Sequence, residues 1–265
     1  MDIPLAVIST LLGLAFGSFL NVCIDRLPAK KSLVRPRSHC DACQHQLSSR
    51  DLIPVVSYLW LHGRCRYCHQ RIPRRVLLVE VLTGAYFLTA FCQFGWGDEF
   101  VISVIYGCIF LVIMFIDLEH QLILNKVTYP TAAVALITLA VCSALPQTGL
   151  LDNLVFFPEP AILSGIIGGA TGFGFFLAVS FISPGGMGMG DVKLAGLIGL
   201  ITGFPLVVVA LFIGILMGGV VGGALLLLKI RGRKDAIPFG TFLALGLLVT
   251  LLFGKDILTW YLGMF

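Results

Sequence analysis

The sequence predicts an all-α polytopic membrane protein of about eight transmembrane helices, interrupted by one small polar subdomain that carries four cysteines. Three observations support this fold. Hydrophobic residues fill 58% of the 265 positions and charged residues only 12%, too few for the surface of a soluble domain of this length. The apolar residues fall into segments close to the ~20 residues that a bilayer-spanning helix needs. Lysine and arginine collect in alternate loops between those segments, as the positive-inside bias requires.

The expected spans are 4–24, 76–94, 100–117, 127–145, 161–183, 188–203, 205–228 and 237–254. The first lacks a basic leading region and a small-residue cleavage site, and it contains Asn21, so it is a span and not a signal peptide. The stretch from Val192 to Ile230 is long enough for two short spans. Thr202-Gly203-Phe204-Pro205 divides it, because Gly and Pro punctuate helices; without that division the count is seven.

Eleven of the 18 basic residues lie between Arg26 and Arg75. Lys126, Lys193 and the group Lys229, Arg231, Arg233 and Lys234 follow in alternate loops. Eight spans put all of these on the cytoplasmic face and leave Lys255 opposite, among Asp2, Asp98, Glu99, Asp152, Glu159 and Asp256. Both termini are then outside. The net charge of +4 is thereby a topology signal. It implies no nucleic acid, since the basic loop lacks interleaved aromatic platforms.

Two parts follow from this pattern. Residues 1–75 hold the first span and the cysteine-bearing loop, and residues 76–265 form the helical bundle. Within the bundle Gly165 and Gly169, Gly168 and Gly172, and Gly214, Gly218 and Gly222 recur every four residues. Such spacing places small residues on one helix face, where backbones approach closely in lipid. No internal repeat is apparent.

Cys40-Asp-Ala-Cys43 and Cys65-Arg-Tyr-Cys68 are two CxxC pairs, a spacing that lets each pair grip one side of a tetrahedral ion. Disulfides are disfavoured in a reducing cytoplasm, so structural Zn²⁺ is the expected cofactor. Four thiolates leave no open position for catalysis. His39, His45 and His69 flank the set as substitute ligands. Cys23, Cys92, Cys108 and Cys142 lie in or beside spans and are expected to pack.

Asp117 closes the apolar run Val-Ile-Met-Phe-Ile and opens the polar stretch Asp-Leu-Glu-His-Gln. Asp191 follows Ser183-Pro-Gly-Gly-Met-Gly-Met-Gly190. Ionisable groups at membrane depth are costly and point to function, although either could simply end a helix at the headgroups. The glycines at 185, 186, 188 and 190 let the backbone bend and approach a substrate. Two carboxylates that meet cannot both ionise comfortably, so one serves as acid while the other activates water. No GxSxG, HExxH or Cys/His nucleophile pattern competes.

These residues resemble a known family. Gly186-Met-Gly-Met-Gly-Asp191-Val-Lys193-Leu is similar to the GxGD signature of bacterial type IV prepilin peptidases. Gly17-Ser-Phe-Leu-Asn21, Arg26-Leu-Pro28, Ile53-Pro54-Val-Val-Ser57, the two CxxC pairs, Arg71-Ile-Pro with Glu80, and Phe115-Ile-Asp117-Leu-Glu119-His120 agree with it over residues 13–260. The resemblance implies removal of the short basic leader from prepilins or type II secretion pseudopilins on the cytoplasmic side of the bacterial inner membrane, with Asp117 and Asp191 as the catalytic pair. It also implies N-methylation of the new amino terminus from S-adenosylmethionine by the cysteine-bearing part, with Gly63 and Glu80 as cofactor-binding positions. The chain departs from the family pattern at Leu124-Asn125, where Pro-Asp or Pro-Asn is usual, and at Arg74-Arg75-Val76, where Arg-Tyr-Pro is frequent. A proton-coupled transporter would place its acids near mid-span in inverted repeats, and a pilin-binding scaffold would leave the GxGD loop without a purpose.

Overall fold

The computed structural model of the chain describes residues 2–144, 161–182, 187–229 and 238–264. Gly185, Gly186, Asp152, Glu159, Arg231, Arg233 and Lys234, used above, lie outside them. Among the described residues the secondary structure is helical, with two isolated bridges and no strand.

The chain forms two compact units, Met1–Val112 and Ile113–Phe265. The first contains α1 (Ile3–Arg26), a 3-10 turn (Ser49–Leu52), α2 (Val56–Trp60), α3 (Arg74–Phe94) and the first part of α4 (Asp98–His120). The second contains the end of α4, then α5 (Asn125–Ala144), α6 (Ala161–Ile182), α7 (Met189–Thr202), α8 (Leu206–Leu227) and α9 (Phe239–Leu262). All but α2 and α7 are long and apolar enough to cross a bilayer, seven helices among the described residues.

Helix α7 accounts for the choice between seven and eight spans. Its 14 residues reach about 21 Å, short of the ~30 Å hydrocarbon layer. The division at Gly203-Phe204-Pro205 is present, and its backbone is satisfied from α6. The Phe204 N–H donates to the Ser164 carbonyl at 3.1 Å, and the Ser164 hydroxyl donates to the Phe204 carbonyl at 2.9 Å. Irregular backbone at membrane depth persists only when paired in this way.

Two helix ends differ from expectation. Helix α4 continues past Asp117 to His120, because nothing in Leu-Glu-His breaks a helix and the Gln121 N–H still reaches the Asp117 carbonyl at 2.8 Å. Helix α9 continues past Gly254 through Lys255 and Asp256 to Leu262, where the exposed Trp260 and Tyr261 suit the membrane–water boundary.

In the first unit α1 and α3 pack face to face through Gly13, Gly17 and Gly84, and the Ser9 hydroxyl donates to the Phe87 carbonyl at 3.0 Å. In the second unit the glycine faces meet backbone. A β-carbon on Gly168 would run into the Gly199 carbonyl, one on Gly199 into the Gly168 carbonyl, and one on Gly172 into the Ala195 carbonyl. Helices α8 and α9 meet in the same manner at Gly246 and Ala210. Large apolar side chains such as Leu11, Phe16, Phe212 and Val220 point outward, as lipid-facing residues do.

The α6–α7 contact has no room for a methyl group. Gly199→Ala should therefore lower the detergent melting midpoint by several degrees, since overpacking costs about 1–3 kcal/mol. Gly219→Ala, with nothing near its missing β-carbon, should melt no lower than the parent because Ala favours helix. Equal melting of the parent and Gly199→Ala would contradict the packing.

Candidate active site and metal centre

Asp117 occupies the last turn of α4 and is only 4% exposed. A carboxylate there faces the negative end of its own helix dipole. Compensation comes from α9. The backbone N–H of Thr241, third residue of that helix, donates to Asp117 Oδ2 at 2.6 Å, and the Thr241 hydroxyl lies 3.0 Å from the same oxygen. The hydroxyl is shared with the Met114 carbonyl at 3.3 Å. The first N–H groups of a helix have no partner within it, so Asp117 caps α9 from another element.

Asp191 is the third residue of α7 and is half-buried. Its carboxylate lies beside Gly188 at the start of its own helix, and its backbone N–H donates to the Gly188 carbonyl at 3.1 Å. The two aspartates, 74 residues apart in sequence, lie close enough for their charges to interact. Each sits at the positive end of a helix, Asp191 on α7 and Asp117 against α9.

Close approach at this point depends on two glycines. A β-carbon on Gly240 would lie 3.0 Å from Asp117 Oδ2 and 3.0 Å from Ile123 Cδ1, and one on Gly190 would lie 3.1 Å from Ile123 Cβ. Ile123 thus packs against the start of both α7 and α9. Lys193, one turn into α7, reaches Asn125 Oδ1 at 3.4 Å and the Tyr129 hydroxyl at 3.2 Å, with its ammonium 5.5 Å from the Tyr129 ring centroid. It ties α7 to the start of α5, where Asn125 stands at one of the departures noted above.

Thr241 and Gly240 did not emerge from the sequence as site residues. The available signal was Pro238-Phe-Gly-Thr241, a Pro and a Gly opening an apolar helix. That pattern marks a helix start but does not show what the start faces.

The four cysteines converge. The Sγ atoms of Cys40, Cys43, Cys65 and Cys68 all lie within 4.8 Å of one another, and Cys40 and Cys68 are 3.8 Å apart. Tetrahedral Zn–S bonds of ~2.3 Å place sulfurs about 3.8 Å from each other, so the set fits zinc. Each pair sits in the same turn. Cys40 N–H donates to the His45 carbonyl and Gln44 N–H to the Cys40 carbonyl; Cys65 N–H donates to the Gln70 carbonyl and His69 N–H to the Cys65 carbonyl. Bridges His39–Gln46 and Arg64–Arg71 close the two turns, and Gln44 and His69 share a positive φ of 57° and 59°. This is a short structural repeat that the sequence conceals, because only the cysteines match.

The Asp51 carboxylate, in the 3-10 turn between the two cysteine turns, pairs with Arg66 of the second at 2.7 Å. Backbone N–H groups of Cys68 and Tyr67 hold the Cys65 thiol down to about 7, which brings the metal-binding thiolate within reach near neutral pH. The histidines take other roles. His45 lies against Tyr67 with ring centroids 3.7 Å apart and planes tilted by 36°, and His39 Nδ1 contacts the Arg37 carbonyl.

Glu80 lies in α3 and is 5% exposed. It accepts the Val55 N–H at 2.7 Å. Gly63 is buried at φ +68°, and a β-carbon there would meet the Tyr58 hydroxyl at 2.9 Å. Both residues hold the polar insert between α1 and α3 in shape.

Two family models match the chain. The bacterial peptidase A24 N-terminal domain matches residues 11–94, and the type IV leader peptidase family matches residues 104–223. Relatives named prepilin leader peptidase/N-methyltransferase align almost end to end. The one from Aeromonas salmonicida strain A449 is 30% identical over 96% of this chain and 92% of its own. The chain belongs to the type IV leader peptidase family. The Bacillus subtilis relative is 29% identical over 95% of this chain and 96% of its own, and the Legionella pneumophila relative 30% over 96% and 93%. No solved structure matches the chain. The resemblance carried by the motifs is thus borne out, and Thr241 lies beyond the segment that the leader peptidase model matches.

The metal centre gives a direct expectation. Purified protein should carry about one zinc per chain, and Cys40→Ser should lose it and loosen residues 30–75, since metal binding and folding are coupled in such sites. Elemental analysis of carefully reduced protein checks this. A metal-free, fully folded domain would exclude a structural zinc.

Proposed function

We propose that this leader peptidase family member cuts the basic leader from prepilins or type II secretion pseudopilins at the cytoplasmic face of the bacterial inner membrane and then N-methylates the new amino terminus. Asp117 and Asp191 are the catalytic pair, carried by residues 76–265. The observation that supports this reading is the approach of two carboxylates at the starts of α7 and α9, close enough for their charges to interact, with Asp117 held by the Thr241 backbone N–H.

The two sites differ in a way that assigns roles. Asp117 Oδ2 receives two donors from Thr241 and faces a helix N-terminus. All three favour the ionised form, so Asp117 is the base. Asp191 retains the proton that two adjacent carboxylates share. Water between them loses a proton to Asp117 as its oxygen adds to the scissile carbonyl carbon, while Asp191 donates to the carbonyl oxygen. Collapse returns a hydroxyl proton of the tetrahedral intermediate to Asp191 and breaks the C–N bond, while the proton on Asp117 passes to the departing amine. The substrate's apolar helix enters among the lipid-facing helices while its basic leader stays in water.

Methyl transfer belongs to residues 1–75, with zinc held by Cys40, Cys43, Cys65 and Cys68 as structural support. S-adenosylmethionine supplies an activated methyl group when bound. Gly63 and Glu80 keep their place in this proposal as residues that shape the domain around the cofactor, since their own polar groups are engaged within it.

Mass spectrometry of a co-expressed prepilin reads leader loss and the added methyl group separately. Asp117→Asn and Asp191→Asn should each cut leader cleavage by ~10²–10⁴-fold, and the double variant little further, because the pair acts as a unit. Glu119→Gln, exposed two residues away, should cleave much as the parent does. Near-parental cleavage by a well-folded Asn variant would remove the aspartyl mechanism.

The base assignment has its own test. Thr241→Val removes one donor to the ionised form of Asp117 and leaves the helix start intact. Without that donor Asp117 takes up a proton more readily, so activity should fail at a higher pH on the acidic side. The expected displacement of the acidic limb is up to about one pH unit, and Thr241→Ser should restore it. A Thr241→Val profile that coincides with the parent's would deny Asp117 the role of base.

A further inference from the structure

The polar insert at 27–73 leaves and re-enters the membrane at one point. Arg75 and Asp25 form an ion pair at 2.6 Å, and the Asn21 side-chain amide donates to the Val76 carbonyl at 3.0 Å. The end of α1 and the start of α3 are thereby clamped together. From that point the insert does not simply rise into water. Val55 is bonded to Glu80, six residues into α3, which is about 9 Å along the helix axis from its first residue. Val55 adopts φ +61°, a conformation that costs a β-branched residue energy, and the buried Glu80 carboxylate holds it there.

The residues around this pinned point are apolar and face outward. Leu52, Ile53, Val56, Leu59 and Trp60 are all exposed, Trp60 by 78%. Within α2, Val56, Leu59 and Trp60 lie three and four residues apart, on one face of the helix. An indole this exposed, in a run with four other exposed apolar side chains that Val55 bonds to the second turn of a membrane helix, is misplaced in water. The surrounding charge indicates what covers it. Residues 27–73 carry eight Lys and Arg against two Asp, and Arg50, Arg64 and Arg71 are exposed. An apolar face with Trp and Leu, rimmed by Arg, is the pattern of a segment lying in the headgroup layer of an anionic bilayer.

We propose that Leu52–Trp60 is an interfacial anchor that seats the cysteine-bearing insert on anionic lipid. The bilayer takes up the apolar side chains and the headgroups pair with the arginines. The insert is then held flat against the membrane by three attachments: the α1–α3 clamp, the Glu80–Val55 bond and this ridge. Glu80 acts here through Val55, as a positioning residue for α2.

The test uses the full chain in vesicles of equal parts phosphatidylcholine and phosphatidylglycerol, with and without acyl-chain bromination. The protein has three tryptophans, Trp60, Trp96 and Trp260. The fluorescence of Trp60 is the difference between the parent and Trp60→Phe, a change at an exposed position. That difference signal should be blue-shifted, quenched by the brominated lipid and protected from aqueous acrylamide. Leu59→Glu on the same ridge should weaken the bromine quenching several-fold, and so should vesicles of phosphatidylcholine alone. A Trp60 signal open to acrylamide and untouched by bromine would overturn the proposal. Protection from acrylamide without bromine quenching would assign the ridge to a protein partner and overturn it equally.

Discussion

The hydrogen bond from the start of α9 to Asp117 is the interaction on which the arrangement of the second unit depends. A carboxylate in the last turn of an apolar helix is opposed by that helix's own carbonyl end and by the scarcity of water. It persists because Thr241 presents a backbone N–H that its own helix cannot use. The bond fixes where α9 must begin, and Gly240 provides the space for it to begin there. Ile123 packs against Gly240 and against Gly190, which brings α7, and with it Asp191, to the same place.

The catalytic pair we propose needs rigid supports, since a small misplacement of acid and base is costly in rate. The supports are backbone-to-backbone contacts. Helices α6 and α7 meet at Gly168, Gly172, Ala195 and Gly199 with no side chain between them. Helix α7 is shorter than the bilayer is thick, so both its ends require care. Its start carries Asp191, bonded back to Gly188, and its end runs into a turn whose polar atoms Ser164 captures. The same device, polar backbone satisfied from another element, is used just past the end of α7 and at the start of α9.

The first unit solves a different problem. Its insert is too small to bury a core, and it contains no strand among the described residues. Four thiols in two matching turns provide a cross-link where hydrophobic area is lacking. The buried carboxylate of Glu80 then secures the insert to α3 through Val55, and Gly63 gives the tight turn that lets Tyr58 close over it. Residues that the family resemblance connects with a cofactor therefore also have mechanical tasks that the geometry explains.

Much of this protein was legible from the sequence alone. Helix number, the division after Thr202, the small-residue faces, the two CxxC pairs and the two aspartates are local patterns, and local patterns register as spacing and composition. The helix ends at His120 and Leu262 were less legible, because a helix stops where its capping partners are and not where hydropathy falls. The repeat of the cysteine turns was hidden, since backbone hydrogen bonds define it while side chains other than the cysteines vary. Thr241 was beyond reach for the plainest physical reason. Its value lies in an N–H group that every non-proline residue possesses, and only the approach of Asp117, 124 residues away in sequence, gives that N–H its role.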